Sequence, residues 1–290
     1  MKKLLILSGK GGTGKTTTAA AFIRFADARA FADCDVDAPN LHLVTQRQAA
    51  PQTYDYLGSQ KAVINPDTCL GCGQCAKACR FEAIHKAGGV YTVNEYACEG
   101  CGVCAYVCPN GSAALTDDVA GQVMLYAENS TFVTAELKMG RGNSGKLVSE
   151  VKSRLAQNAH DADLAIIDGS PGIGCPVIAS MSGVDMVLIV TEPSVSGISD
   201  MQRILQTAAV FRTKTAVCVN KYDQSPEHTD RIIRFCKQEN IPFTGRIPYD
   251  SQASAAINAG RSLADVDCPA SRALKAVYQE TMKLLNEVNA

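Results

Sequence analysis

The sequence carries almost no net charge, no long apolar run and no complete export signal. Lysine and arginine total 28 against 29 aspartate and glutamate, a net charge of −1. That balance gives no argument for nucleic acid or an anionic membrane as partner, so neither is expected. No uninterrupted apolar segment approaches the roughly 18 residues of a membrane span. The opening Met1-Lys2-Lys3-Leu4-Leu5-Ile6-Leu7 imitates the start of a signal peptide. Its apolar run stops at Ser8-Gly9-Lys10, short of the roughly 7–15 residues of an h-region, and a cytoplasmic chain is expected. With 46% hydrophobic and 20% charged residues, the composition is that of a soluble globular protein. The 290 residues suffice for one large α/β domain with a small module, or for two ordinary domains.

Cysteine is present in excess. Thirteen cysteines without an export signal argue against a disulfide framework and for metal. Eight lie between Cys69 and Cys108, while Cys34, Cys175, Cys218, Cys236 and Cys268 are scattered. Isolated cysteines are more often buried small apolar residues than ligands. Cys175 is kept as the one isolated candidate for a metal or redox site.

Short apolar runs alternate with helical patterns. Residues 4–7 form a buried-strand pattern that enters the glycine-rich 8–14, and an alanine-rich helix follows from 15 to about 28. Ala30–Asp33 predicts a second strand ending in carboxylates. Leu164–Asp168, Met186–Thr191 and 216–220 are further strand-length runs ending in polar or acidic residues, with helical patterns at 198–211 and Pro226–Gln238. This alternation predicts an α/β fold with a doubly wound, mostly parallel sheet, whose ligand sits at the carboxyl ends of the strands. The last stretch, 270–288, carries Leu274, Val277, Leu284, Leu285 and Val288 without a basic face, as a docked helix would.

The pattern breaks at 58–116, which is dense in cysteine and glycine. An internal repeat of 29 residues maps Cys69, Cys72, Cys75 and Cys79 onto Cys98, Cys101, Cys104 and Cys108. Flanking residues agree, with Val63-Ile64-Asn65 echoing Tyr91-Thr92-Val93-Asn94. So short a repeat cannot build a core without a staple. The expected organisation is therefore a main domain from 1–57 and 117–290, with a small inserted domain at 58–116.

Gly9-Lys10-Gly11-Gly12-Thr13-Gly14-Lys15-Thr16 satisfies the phosphate-binding pattern G-x-x-x-x-G-K-[ST], after a strand and before a helix. The glycines let backbone N–H groups converge on phosphate oxygens, and the helix start adds its positive end. Lys15 would reach the β- and γ-phosphates and the Thr16 hydroxyl would hold Mg²⁺, with Thr17 completing the loop.

With Lys10, the run G-K-G-G-T-G-K-T-T resembles the deviant Walker A box of the MinD/ParA/Mrp-like ATPases and the nitrogenase iron protein. In that family the first lysine crosses a homodimer interface, so the resemblance implies an ATP-dependent homodimer. Ala32-Asp33-Cys34-Asp35-Val36-Asp37-Ala38-Pro39-Asn40-Leu41 looks like the family's switch I, which organises Mg²⁺ and the attacking water through Asp33 and Asp35, or Asp37. Ile166-Ile167-Asp168-Gly169-Ser170-Pro171-Gly172 looks like Walker B and switch II, with Asp168 behind Mg²⁺. Val219-Asn220-Lys221-Tyr222-Asp223 and Ile247-Pro248-Tyr249-Asp250 resemble the base-side segments, giving Asn220, Pro248 and Asp250 as nucleotide contacts. Taken alone, each acidic strand end reads equally as a helix cap. Asn220-Lys221-Tyr222-Asp223 also resembles the guanine-selecting motif of GTPases, so ATP as the nucleotide comes from the family resemblance. The C-terminal C-x-x-C of Mrp-type scaffolds is absent.

Two consecutive C-x₂-C-x₂-C-x₃-C runs are the ligand pattern of two 4Fe–4S clusters, in which the fourth cysteine of each run serves the other cluster. That assigns Cys69, Cys72, Cys75 and Cys108 to one cluster and Cys98, Cys101, Cys104 and Cys79 to the other. Zinc also takes four cysteines, but its usual paired knuckles do not need the third cysteine or the crossing. Pro109 follows the last cysteine as in the usual pattern, while Arg80 replaces the proline after Cys79 and would raise the potential of its cluster.

The whole arrangement resembles the MinD-superfamily P-loop ATPases with an inserted ferredoxin domain. The resemblance implies ATP hydrolysis coupled to electron transfer, or to metal-centre maturation on a partner protein. Two alternatives stand beside it: an Mrp-like cluster scaffold or carrier, and a non-enzymatic ParA- or MinD-like positioning protein.

Overall fold

The computed structural model describes residues 1–45 and 50–287. The chain divides into two compact units, one of Met1–Thr53, Val123–Glu136 and Ser144–Ala290, the other of Tyr54–Gln122 and Leu137–Asn143.

The first unit is built on seven parallel strands: β1 (Lys2–Leu7), β2 (Ala30–Asp33), β3 (Thr131–Leu137), β4 (Leu164–Asp168), β5 (Met186–Thr191), β6 (Lys214–Asn220) and β7 (Phe243–Ile247). Their order across the sheet is β7-β6-β5-β1-β4-β2-β3, every neighbouring pair parallel. The expectation of a mostly parallel, doubly wound sheet is met. Its helices are α1 (Lys15–Phe25), α2 (Ser144–Asn158), α3 (Cys175–Met181), α4 (Val195–Val210), α5 (Pro226–Gln238), α6 (Ser251–Asn258) and α7 (Pro269–Asn286).

Strand β1 shows why both faces are covered. Leu4 and Ile6 belong to a core with Phe22 of α1 and Leu274 and Val277 of α7. Leu5 and Leu7, which alternate to the opposite face, are equally buried. Parallel strands need crossover connections, and helices supply them. The charges of Lys2 and Lys3 hid the first two residues of this strand from the sequence pattern. Helix α4 starts at Val195, three residues before the expected 198, because Ser194 caps it by accepting from Gly197 N at 3.0 Å. Helix α7 spans Pro269–Asn286 with Leu274, Val277 and Leu285 buried, as a docked helix requires, while Val288 lies outside the described residues. No helix among the described residues is long and apolar enough to cross a membrane.

The second unit repeats a strand–helix motif. Lys61–Ile64 pairs antiparallel with Ala113–Thr116, and Ile84–Ala87 with Val90–Val93. One short helix, Gln74–Ala78, follows Gly73, and the other, Val103–Tyr106, follows Gly102; both glycines take positive φ. Arg141 fastens 137–143 to this unit: its Nη2 donates to Asp118 Oδ1 at 2.9 Å and to Glu95 Oε2 at 2.5 Å, and its guanidinium stacks on Tyr96. The core is thin. Its buried cluster is Ala62, Cys75, Ala83, Ile84, Cys98, Cys104 and Ala113, with Ile64, Tyr91, Val93 and Leu115 partly buried against it. Ile84, the one large aliphatic side chain in the buried cluster, contributes about 1.5–3 kcal/mol. Backbone ordering costs about 1–2 kcal/mol for each residue. Units with so small an apolar core commonly add a staple such as a metal group.

Candidate functional site

The carboxyl end of the sheet brings the P-loop, both acidic strand ends and the base-side segments to one place in the first unit. The loop 8–14 leaves β1 and enters α1 through Gly14, whose φ of 93° suits only glycine. A Cβ there would also stand 2.3 Å from Asn220 Nδ2, and one at Gly9 would stand 2.1 Å from Asp200 Cβ. Asn220 Nδ2 donates to Thr13 O at 2.8 Å, which ties the end of β6 to the loop.

Lys15 and Thr16 meet the end of β4. Lys15 Nζ donates to Asp168 Oδ1 and Thr16 Oγ1 to Asp168 Oδ2, each at 2.6 Å. Asp35 Oδ2 stands 3.9 Å from Lys15 Nζ. Burial opposes the charge on Lys15, but Asp168, with Asp33 and Asp35 behind it, outweighs that and holds the lysine above its usual range.

The three carboxylates of the expected switch I differ. Asp33 is buried and accepts backbone N–H groups from Asp35 at 3.0 Å, Asn40 at 2.9 Å and Leu41 at 2.9 Å. Burial, then the Asp168 charge, pushes it up to about 7 despite these donors. Asp35 lines the cavity beside the P-loop, and burial pushes it up to about 6, with Lys15 opposing and Asp168 adding. Asp37 is exposed and is not among the residues lining that cavity. The two strand ends are stitched together: Cys34 N donates to Asp168 O at 2.7 Å and Ser170 Oγ to Cys34 O at 2.6 Å.

The cavity measures about 660 Å³. Lys10, Gly11, Gly12, Lys15, Thr16 and Thr17 form one wall. Leu43, Val44 and 257–263 form another, which no sequence motif marked. A second cavity of about 190 Å³ shares Gly12, Gly14 and Thr17 with it and is lined by Asn220, Pro248, Tyr249 and Asp250. Asp250 also caps α6, accepting from Gln252 N at 2.9 Å, and it accepts from Ala270 N at 3.2 Å. The Ala270 bond leads the backbone donors that hold its carboxyl below the usual range.

The cysteine repeats sort into two quartets in the second unit. A cavity of about 20 Å³ is lined by Cys69, Cys72, Cys75 and Cys108. Another of about 20 Å³ is lined by Cys79, Cys98, Cys101 and Cys104. Each quartet therefore takes three cysteines from one repeat and the fourth from the other. The remaining walls are largely apolar, with Ile64, Tyr91 and Ala113 at the first and Ala62, Phe81 and Ile84 at the second. Backbone N–H groups point at sulfur: Ala62 N and Gly100 N each lie 3.4 Å from Cys98 Sγ. Donors led by Ala113 N hold Cys108 below the usual thiol range. No group of three His, Cys, Asp or Glu among the described residues could hold a single metal ion. Cys175 is exposed, whereas Cys34, Cys218, Cys236 and Cys268 are buried.

Comparison with known proteins matches residues 4–263 to the CobQ/CobB/MinD/ParA nucleotide binding domain. The chain belongs to this family. Among curated relatives of this CobQ/CobB/MinD/ParA member, an uncharacterised Methanocaldococcus jannaschii protein is 28% identical over 98% of this chain and 97% of its own length. An iron–sulfur cluster carrier protein of Methanococcus maripaludis is 26% identical over 45% of this chain and 50% of its own. A ferredoxin of Mycobacterium tuberculosis is 46% identical over 41 residues, 14% of this chain and 36% of that one. Among solved structures, the septum site-determining protein MinD of Pyrococcus horikoshii, in complex with Mg-ADP, superposes with a TM-score of 0.59 at 17% identity, covering 98% of this chain and 97% of that chain. The family is thus a nucleotide-binding one, and the likeness to MinD is one of fold.

Proposed function

We propose that this chain binds and hydrolyses ATP with Mg²⁺, holds two 4Fe–4S clusters, and couples a nucleotide-driven homodimer to electron transfer or metal-centre maturation on a partner protein. The observation that carries the reading is the crossed sorting of eight cysteines into two cavities of nearly equal size. Four-cysteine ligation with an exchanged fourth ligand is the arrangement of two-cluster ferredoxins. The thin core around them suits such a staple. When bound, the clusters supply one-electron transfer.

At the nucleotide, Lys15 and the backbone of 11–16 hold the phosphates, and Thr16 holds Mg²⁺ with Asp168 behind it. Asp33 has its carboxylate committed to three backbone donors, so its part is to fix the switch loop. Asp35 faces the cavity and orients the attacking water. Asn220 and Pro248 flank the base. The chain passes between the two units at 53/54, 122/123, 136/137 and 143/144, and the coupling proposed here requires motion at the switch strands to reach the cysteine unit through these connections.

Anaerobic purification or reconstitution, followed by iron and sulfide analysis and an ATPase assay, tests the reading. About eight iron and eight sulfide per chain with slow basal hydrolysis is the expected result. Stoichiometric zinc, or no turnover with ATP under any partner condition, would overturn it.

A second reading, in which the clusters are cargo, is favoured by the match to an iron–sulfur cluster carrier and by the exposure of Cys72 and Cys101. Rapid transfer of iron and sulfide to an apo-ferredoxin would select it over electron transfer.

A further inference from the structure

Lys10 is engaged within its own chain. Glu192, the residue after β5, presents one carboxylate oxygen to Lys10 Nζ and the other to Lys221 Nζ, the latter at 3.9 Å. Lys10 Nζ also donates to Ser196 Oγ at 3.3 Å, and Lys221 Nζ to Gly12 O at 3.0 Å. One acidic side chain therefore links the start of the P-loop, the end of β5 and the base-side segment after β6. Its side chain is 19% exposed, so the pair is partly shielded from water.

The local turn does not need this carboxylate. Ser194 Oγ accepts from Gly197 N at 3.0 Å and Thr191 Oγ1 donates to Gly197 O at 3.1 Å, which together fix the entry to α4. One carboxylate against two ammonium groups also leaves the cluster with net positive charge. Lys10 lines the P-loop cavity, where a polyphosphate would offer it a stronger anion than a single carboxylate.

We infer that Glu192 is a positioning residue that holds Lys10 and Lys221 in place and competes with nucleotide phosphate for Lys10. The inference rests on the proposed nucleotide role of the cavity and adds a restraint to it. Engaging a triphosphate, in its own P-loop or across the proposed homodimer, requires Lys10 to leave Glu192, so the carboxylate weakens binding and favours release. A partly exposed pair limits the effect to about fivefold in affinity.

The test is a double-mutant cycle read by calorimetric titration with ATP and with ADP, on the full chain with its clusters in place. Glu192→Gln should tighten ATP binding by up to about fivefold and ADP binding by less, because the lost competitor matters most where phosphate charge is greatest. In a Lys10→Ala background the same substitution should give no gain. Glu192→Asp, which is shorter and cannot span both lysines, should fall between wild type and Glu192→Gln. Unchanged or weaker ATP binding by Glu192→Gln at an unchanged melting temperature would overturn the inference, as would an equal gain without Lys10. If Glu192→Gln lowers the melting temperature, Glu192→Asp decides, and wild-type affinity in that variant overturns the inference. A wild type that binds no ATP would overturn the proposed function, and this inference with it. A wild type that binds, without the gain, overturns the inference alone.

Discussion

Asp168→Asn removes one negative charge from a site that buries three carboxylates around one ammonium. Asp168 is fully buried and is the 2.6 Å partner of both Lys15 and Thr16. Removing one member of a buried pair costs about 3–5 kcal/mol. The loss is offset here, because Asp168 adds to burial in pushing Asp33 up to about 7 and Asp35 up to about 6. Without Asp168, both relax and share Lys15. A net cost near the lower limit, about 3 kcal/mol, follows, or a fall in Tm of roughly 6–12 °C for a domain of this size. The pH dependence has a definite sign. Both carboxyls titrate above their ordinary 3.8 when folded, so between about pH 4 and pH 7 the folded state binds more protons than the unfolded one. Their contribution is fully present at the acid end and is lost as pH rises through 6 to 7. Asp168→Asn should flatten that loss. Thermal unfolding of both proteins at about pH 5.5 and about pH 8, without nucleotide or magnesium, measures both effects. A variant that melts with wild type, or keeps the full pH slope, would refute the reasoning.

Further outcomes follow from the same geometry. Cys79→Ser should damage the cluster of Cys98, Cys101 and Cys104 and spare that of Cys69, Cys72 and Cys75, as EPR of the reduced protein would show. Lys15→Ala should abolish nucleotide binding by removing the charge that neutralises the phosphates, measured by calorimetry. Asp35→Asn should keep nucleotide binding and the fold but lose about 10²-fold or more in turnover, if it orients the attacking water. Asp33→Ala should instead destabilise the chain by about 1–3 kcal/mol for each buried N–H left unpaired, read as a lower denaturation midpoint.

Much of the fold was legible because its strands are buried on both faces and read as continuous apolar runs. Leu164–Asp168 and Met186–Thr191 have the bounds expected of them, and α5 has the expected Pro226–Gln238. The strand Val119–Ala127 and β3 were not read, because alternation and polar residues such as Gln122, Thr134 and Glu136 break the apolar run. Strand β7, FTGRI, was hidden in the same way by Gly245 and Arg246. Strand order is a tertiary property and left no mark in the sequence. At the site, the P-loop and the cysteine spacing carry fixed chemistry and were visible. The division of labour between Asp33 and Asp35 was not, since it depends on which carboxylate the loop 35–41 folds back upon. Glu192 was missed because a single carboxylate after a strand resembles any polar strand end. The wall formed by Leu43, Val44 and 257–263 has no motif at all.

The central claim is that nucleotide state is felt at the clusters. The direct measurement is an anaerobic redox titration, followed by EPR, of the protein with Mg-ATP and with Mg-ADP, in the presence and absence of its partner. ATP acts only through its different affinity for two arrangements, and a near-complete switch needs roughly 5.5 kcal/mol, so a partial shift is expected. The account predicts a change in midpoint potential or line shape with ATP that ADP does not produce. Identical potentials, line shapes and partner affinity in the two nucleotide states would contradict it.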